Sequence, residues 1–115
     1  MTGLLSKKCV PCEAGIPPLS KEKIAEYIKQ LSSEWQLIEE KNIPRIKKRF
    51  KFANFKDAIA FVNKIANLAE KEGHHPNIFV FYNKVDIELY THAIKGMHDN
   101  DFIMAAKIDE LIKSS

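Results

Sequence analysis

Two strand-like segments that follow one another in the second half of the chain constrain the fold more than any other feature. The segments IFVFY and VDIELYT, residues 78–82 and 85–91, are rich in β-branched and aromatic residues and are separated by Asn83 and Lys84. Asparagine is a common turn residue, so the pattern predicts a β-hairpin. In the second segment apolar and acidic residues alternate, which indicates a strand with one buried face. Any fold for this chain must therefore accommodate this antiparallel pair.

A second pair of strands is predicted in the first half of the chain. One strand begins near Trp35. The next is PRIKKRFKF, residues 44–52, in which positions 45, 47, 49 and 51 are all basic while apolar residues occupy most even positions. This period of two predicts a strand with one wet basic face. Lys48 interrupts the apolar face, so we interpret it as a strand end, a bulge or an edge.

Three helical segments flank and separate these pairs. Ser20 can cap a first helix over about residues 20–32, and Asn54 opens a second helix with a wide apolar face that Gly73 ends. A third begins near Asp99, where acids in its first turn suit the helix dipole. The order α-β-β-α-β-β-α predicts an α+β fold, a four-stranded antiparallel sheet with three helices on one face.

The length and composition are those of one globular domain. The chain has 115 residues, of which 45% are hydrophobic and 29% charged. We expect a single domain over residues 19–115 after an extended N-terminal arm, residues 1–18, which holds three of the five prolines. No apolar stretch approaches the roughly 20 residues of a membrane helix, so we predict a cytoplasmic protein without membrane contact. The formal charge of +3 is mild and names no partner.

The arm contains both cysteines, Cys9 and Cys12. This spacing is half of a structural zinc site or a redox pair, although neither usual sequence context is present. Two histidines elsewhere in the chain, His74 and His75, would complete a zinc site if the arm folded back on them. We favour reduced, structurally incidental thiols and keep the zinc site as the alternative.

Three histidines are the main candidates for chemistry. His74 and His75 follow the predicted end of the second helix, and His92 ends the last strand of the hairpin. Antiparallel pairing, which we expect to bring Ile78 close to Tyr90 or Thr91, places all three at one end of the hairpin.

Two carboxylates are candidates to support these histidines. Glu70, one helical turn before His74, can accept a ring N–H, and Asp101 can reach the same end. Such a cluster suits a reaction made of proton transfers, because imidazole gives and takes protons near neutral pH. The same cluster equally suits a metal ion. The third alternative is a polar surface turn without any chemical function.

Seven basic residues and no acidic residue lie between positions 41 and 56, which raises the question of nucleic-acid binding. No aromatic residues interleave on the basic face to stack bases. We therefore prefer a solvated strand face whose lysines discourage edge pairing, and we expect no nucleic-acid partner.

Several motifs together resemble the pterin-4a-carbinolamine dehydratases, known in animals also as dimerisation cofactors of a homeodomain transcription factor. The motifs are EKEGHHP at 70–76, FVFYNKVDIELYTH at 79–92, the glycine of AIKGM and the last aspartate of DND. The resemblance runs from Leu19 to about Leu111, includes the segment FKFANFKDAIAF, and extends to an arm like that of many bacterial members. It implies the α+β fold already predicted, assembled as a homodimer or homotetramer.

The resemblance also implies an activity, the dehydration of 4a-hydroxytetrahydrobiopterin to quinonoid dihydropterin and water. This reaction serves tetrahydropterin recycling and links the protein to the aromatic amino acid hydroxylases that produce the carbinolamine. It needs neither a metal nor an organic cofactor. The alternatives are a non-catalytic role as a binding partner or dimerisation cofactor, and a role in molybdopterin metabolism.

By position, the resemblance assigns the family's three active-site histidines to His74, His75 and His92, with Glu70 and Asp101 as supporting carboxylates. We expect His74 and His92 to supply base and acid and His75, with the adjacent Pro76, to hold the pterin.

The chain departs from the family at the start of the last helix, where Gly96 is followed by Met97 and His98 rather than by a leucine and a capping hydroxyl residue. We expect Asp99 or Asn100 to cap the helix instead and interpret His98 as an exposed loop residue. The family also commonly has an aromatic residue near Ile78, which puts the shape of the pocket there in doubt.

Overall fold

A four-stranded antiparallel sheet with helices on one face forms the domain. The structure, a computed structural model, describes Leu4, Lys7, Cys9 and residues 17–32 and 34–113. The elements are α1 (Lys21–Ile28), β1 (Gln36–Glu40), β2 (Ile43–Lys51), α2 (Phe55–Glu72), β3 (Asn77–Phe81), β4 (Lys84–Leu89) and α3 (Asp99–Lys113), with a short 3₁₀ turn at His92–Ile94. The strand order is β1-β2-β4-β3. Within the described residues, the predicted fold class and element order are confirmed.

The helix signals in the sequence work as predicted for α2. The Asn54 side chain accepts a hydrogen bond from the Asp57 N–H at 2.8 Å, and Gly73 ends the helix in the left-handed conformation with φ 69°. Helix α1 ends earlier than predicted, at Ile28 instead of near residue 32. After it, Gln30 bonds back only three residues, to Tyr27, so the chain tightens into a turn instead of continuing the helix.

The hairpin forms, but its register differs from the prediction. The turn occupies Tyr82 and Asn83, and Lys84 already belongs to β4. Ile78 therefore lies opposite Ile87 rather than near Tyr90 or Thr91. The short turn sets this register, because a two-residue connection fixes which residues face each other.

The interpretation of Lys48 as a strand end, bulge or edge is wrong. Lys48 lies within β2, which is an inner strand of the sheet, opposite Ile87 of β4. Its side chain points to the helix side and is 9% exposed. A lysine is tolerated there because Asp109 of α3 accepts its ammonium at 2.7 Å, and Ser32 accepts it at 3.1 Å.

The basic face of β2 is also less exposed to solvent than predicted. Arg45 is buried, and its Nη1 lies 3.2 Å from Oε1 of Glu88 on the neighbouring strand. Arg49 is half exposed but forms two hydrogen bonds with Asp86, at 2.7 and 3.0 Å. These guanidinium groups are engaged by carboxylates, which weakens the case for a phosphate-binding strand.

The core lies between the sheet and the helices. It includes Ile46, Val85, Ile87 and Leu89 from the sheet and Phe61, Ile65 and Phe102 from the helices. Trp35 is part of it, and its indole N–H donates to Asp109 at 2.9 Å. In the described part of the chain, no helix combines the length and the apolar character needed to cross a membrane.

The N-terminal segment contacts the domain at two described residues. Leu4 is buried in the core, and Cys9 is partly buried, with its backbone N–H donating to Glu72 at 2.9 Å. Lys107 of α3 donates to the same carboxylate at 2.8 Å. Burial, followed by the charge of Glu72, raises the pKa of the Cys9 thiol to about 12. Most of residues 1–16, including Cys12, lie outside the described residues, so an extended arm stays a prediction.

Candidate active site

An open cavity of about 300 Å³ lies where α2 gives way to β3, beside the end of β4. The residues that line it include His74, His75, Asn77, Glu88, Tyr90 and His92. The three histidines singled out from the sequence therefore meet in one place, although the register that brings them there is not the one predicted. A larger cavity of about 850 Å³ lies elsewhere, around Lys48 and Asp109, whose charged groups bind each other.

His74 is held by a buried carboxylate. Its Nε2 lies 2.7 Å from Oδ1 of Asp101, and the two side chains are 11% and 0% exposed. The other carboxylate oxygen, Oδ2, accepts the Thr91 hydroxyl at 2.8 Å and the His98 backbone N–H at 3.0 Å. Asp101 is thus fixed by three contacts, and it fixes the imidazole in turn.

This geometry sets the tautomer of His74. An ionised carboxylate only accepts hydrogen bonds, so Nε2 of His74 must carry the proton. Nδ1 makes no hydrogen bond to a described residue, and every fully buried side-chain nitrogen or oxygen in the described chain has a partner. Nδ1 is therefore accessible, on a side chain that lines the cavity, and in the neutral ring it offers a lone pair.

His75 is held much less firmly. Its Nε2 lies 2.6 Å from Oε2 of Glu70, but the two side chains are 60% and 79% exposed. Exposed pairs of this kind contribute little to stability, so the His75 ring can change position at small cost. His92 begins the 3₁₀ turn after β4, with its ring edge-on to Tyr90 at a centroid distance of 6.3 Å. Pro76 is half-buried and does not line the cavity.

Residues 17–111 match the sequence profile of the Pterin 4 alpha carbinolamine dehydratase family. The chain belongs to this family. Similar proteins, each provisionally named a pterin-4-alpha-carbinolamine dehydratase, come from Alkaliphilus metalliredigens and Rickettsia canadensis. The first is 48% identical over 110 residues, 96% of this chain and 96% of its own. The second is 46% identical over 112 residues, 97% of this chain and 100% of its own.

Solved structures of similar proteins agree with this family assignment. A crystal structure described as a transcriptional coactivator/pterin dehydratase from Brucella Melitensis is 34% identical with a TM-score of 0.73 and covers 82% of this chain and 97% of that chain. A pterin dehydratase-like protein, described as a RuBisCO assembly factor in the alpha-carboxysome, is 29% identical with a TM-score of 0.60 and covers 73% and 95%. The resemblance to pterin carbinolamine dehydratases drawn from the motifs is thereby confirmed.

The cap of α3, where this member of the family departs from the usual pattern, is His98. Its ring Nδ1 accepts the backbone N–H of Asn100 at 3.1 Å, while Asp101 accepts the backbone N–H of His98. This exchange has the form of a capping box, with an imidazole in place of a hydroxyl. The predicted caps, Asp99 and Asn100, are thus wrong, and the partly buried His98 is not simply an exposed loop residue. The exchange that caps α3 therefore also positions the Asp101 carboxylate.

Gly96 fixes the loop that carries His92. The loop is closed by hydrogen bonds between Thr91 and Gly96, and the following residue, Met97, accepts the Leu19 N–H at 2.9 Å. A Cβ at Gly96 would lie 2.6 Å from Cβ of Pro18. The glycine in AIKGM is therefore needed for close approach by the segment before α1.

Sequence reasoning missed Glu88, a carboxylate that lines the same cavity with its side chain 8% exposed. The alternation in VDIELYT assigned Glu88 only to the solvent-exposed face of the strand. Its Oε1 accepts from Arg45 at 3.2 Å and from Asn77 at 2.9 Å, and the Arg45 guanidinium stacks 4.1 Å from the centre of the Tyr90 ring. Basic residues at alternate positions of β2 were the available signal that carboxylates of a neighbouring strand would be paired.

Metal ligation was the other chemistry considered for these residues. Among the residues that the structure describes, no group of three or more histidine, cysteine, aspartate or glutamate side chains is placed to hold a metal ion. Cys12 is not among them, so the zinc site that was kept as an alternative stays untested.

Proposed function

We propose that this protein dehydrates a 4a-hydroxytetrahydropterin to the quinonoid dihydropterin. The observation that carries the proposal is the His74–Asp101 pair, which presents an oriented imidazole nitrogen to a cavity lined by two further histidines. A lyase of this kind would act on the carbinolamine that aromatic amino acid hydroxylases release, and so serve tetrahydropterin recycling.

The reaction consists of proton transfers around one bond cleavage. The lone pair of N5 forms the C4a=N5 double bond as the C4a–O bond breaks, the leaving oxygen takes up a proton and departs as water, and the proton on N5 is lost. One general base and one general acid are sufficient, and each such transfer contributes roughly 10²–10⁴-fold to the rate.

The contacts of the three histidines suggest different roles. His74 suits the base at N5, because Asp101 holds the proton on Nε2, leaves Nδ1 free to accept, and stabilises the imidazolium that forms. His92, which also lines the cavity, then supplies the acid for the leaving hydroxyl. His75, held only by the exposed Glu70, is free to adjust its ring to the bound pterin.

The test is a turnover assay with chemically generated 4a-hydroxytetrahydropterin in EDTA. Wild-type protein should exceed the spontaneous rate, and His74→Ala and His92→Ala should each lose about 10²-fold or more in kcat while remaining folded. Turnover in EDTA would also answer the metal alternative. Wild-type protein that does not exceed the spontaneous rate would refute the proposal, and fully active variants would refute the roles of the histidines.

Self-association is a separate proposal, and the edge of the sheet favours it. Strand β3 lies at that edge and leaves Phe79, Val80 and Phe81 exposed by 43%, 38% and 50%. An exposed apolar edge strand is a site for strand pairing. We propose that a second copy of the chain pairs there, which would give the expected homodimer or, by further contacts, a homotetramer. Val80→Lys should then lower the mass measured by light scattering, and an unchanged mass would exclude this edge.

A further inference from the structure

The two carboxylates on the open face of β4 are engaged to different extents. Asp86 uses both oxygens, since Oδ1 and Oδ2 each accept one hydrogen bond from Arg49. Glu88 uses only Oε1, which accepts from both Arg45 and Asn77. Both side chains are nearly buried, with 5% and 8% of their surface exposed. The second oxygen of Glu88, Oε2, accepts no hydrogen bond from the described residues.

This second oxygen is accessible, on a side chain that lines the cavity. In the described chain every side-chain oxygen or nitrogen that is sealed from solvent has a hydrogen-bond partner, so Oε2 of Glu88 is not sealed. Glu88 lines the histidine cavity, as does Asn77, whose Nδ2 is already donated to Glu88. This hydrogen bond leaves the amide oxygen of Asn77 as an acceptor. A buried carboxylate held by an arginine, with one oxygen left over, is suited to bind a neutral or cationic donor.

A pterin carries such donors at the end remote from its reacting carbon. The 2-amino group and the N3–H are adjacent and coplanar, and both point away from C4a and N5. We propose that Glu88, with Asn77 beside it, binds this donor edge and so orients the ring toward His74 and His92. The inference rests on the proposed function, and it assigns Glu88 as the residue that distinguishes a 2-amino pterin from a 2-oxo analogue.

The ligand pair that tests this is 7,8-dihydropterin and 7,8-dihydrolumazine, which differ in the 2-substituent. The lumazine has a carbonyl oxygen where the pterin has the amino group, so it would place an acceptor against Oε2. By titration calorimetry we expect wild-type protein to bind dihydropterin about ten- to a hundredfold more tightly than dihydrolumazine. Equal binding of the two ligands would overturn the inference without any variant.

The matched variants are Glu88→Gln and Asp86→Asn. Each removes one carboxylate charge from the same face of β4 and disturbs one arginine of β2, but only Glu88 lines the cavity. Glu88→Gln should lose most of the preference for dihydropterin and raise KM for the carbinolamine about tenfold or more with kcat little changed, because the lost contact holds substrate and transition state alike. Asp86→Asn should keep the wild-type preference and KM.

The outcomes separate this inference from the proposed function. If wild-type protein turns over the carbinolamine and Glu88→Gln keeps both the ligand preference and KM, Glu88 does not bind the substrate and the dehydratase assignment is untouched. If Asp86→Asn loses the preference as fully as Glu88→Gln does, the effect comes from the charged sheet face and the assignment to Glu88 fails. If wild-type protein gives no turnover above the spontaneous rate and binds neither ligand, the proposed function fails and this inference with it.

Discussion

Replacing Asp101 with asparagine should invert the proton arrangement of His74 without changing the shape of the site. Oδ2 of Asp101 accepts two donors, the Thr91 hydroxyl and the His98 backbone N–H, whereas Oδ1 meets only His74. The amide oxygen of asparagine will therefore take the Oδ2 position, and its NH₂ group will face Nε2 of His74. That nitrogen must then accept, so the proton moves to Nδ1 and the nitrogen open to the cavity can no longer act as a base.

The expected loss follows from these contacts. General-base catalysis contributes roughly 10²–10⁴-fold to the rate, and a base protonated on the wrong nitrogen loses most of this contribution. We therefore expect kcat of Asp101→Asn to decrease by a factor within that range. Exchanging a charge-assisted hydrogen bond for a neutral one should cost about 1–3 kcal/mol of the free energy of unfolding. The assay is carbinolamine turnover, with urea unfolding for stability and ¹⁵N shifts of the His74 imidazole to report which nitrogen is protonated.

Asp109→Asn is the matched control for this experiment. Asp109 lies on the same helix, two turns further on, and accepts from Lys48 at 2.7 Å and from Trp35 at 2.9 Å, but it does not line the histidine cavity. It should lose comparable stability and keep the wild-type kcat. A folded Asp101→Asn protein with wild-type turnover would refute the reasoning. So would an equal loss of kcat in Asp109→Asn, because the effect would then come from α3 as a whole.

Three further predictions concern stability and reactivity. Gly96→Ala should lower the free energy of unfolding by about 1–3 kcal/mol in urea titrations, because the added methyl group has no room; an unchanged midpoint would show that the loop adjusts freely. The hydrogen bonds from Arg49 lower the pKa of the Asp86 carboxyl below its ordinary value of 3.8, so its contribution is complete above that value and is lost as the pH falls further. Asp86→Asn should therefore unfold in acid with a shallower loss of stability than wild type, and parallel curves would contradict the assignment. In a Cys12→Ser protein the remaining thiol, Cys9, should react with iodoacetamide at pH 8 roughly two to three orders of magnitude more slowly than free cysteine, and a rate like that of free cysteine would show that the thiol is not held as described.

The fold was predictable from the sequence because its signals are local. Alternation marked the strands, and Asn54 and Gly73 marked the ends of α2 by side-chain and backbone chemistry that involves only neighbouring residues. The errors have a different origin. Lys48 violates the apolar pattern of β2, and its stability there depends on Asp109, which is 61 residues away in sequence. No periodicity within one strand reveals a partner on a distant helix, so propensity alone assigns such a residue to an edge.

The candidate site also has parts that local sequence signals predict and parts that depend on distant residues. Its histidines were found because residue type and chain position were sufficient to place them at one end of a hairpin, even with the wrong register. The two carboxylates that contact them, Glu70 and Asp101, were also singled out from the sequence, whereas the roles of His98 and Glu88 were not. His98 caps α3 through Asn100, and Asp101 accepts the His98 backbone N–H. Glu88 accepts hydrogen bonds from Arg45 and Asn77, one on each neighbouring strand. A carboxylate on the open face of a sheet is ordinarily well exposed, whereas this one is nearly buried, held at one oxygen and unpaired at the other among the described residues. The proposed contact to the pterin depends on that asymmetry, which arises from three strands together and is not encoded in any one of them.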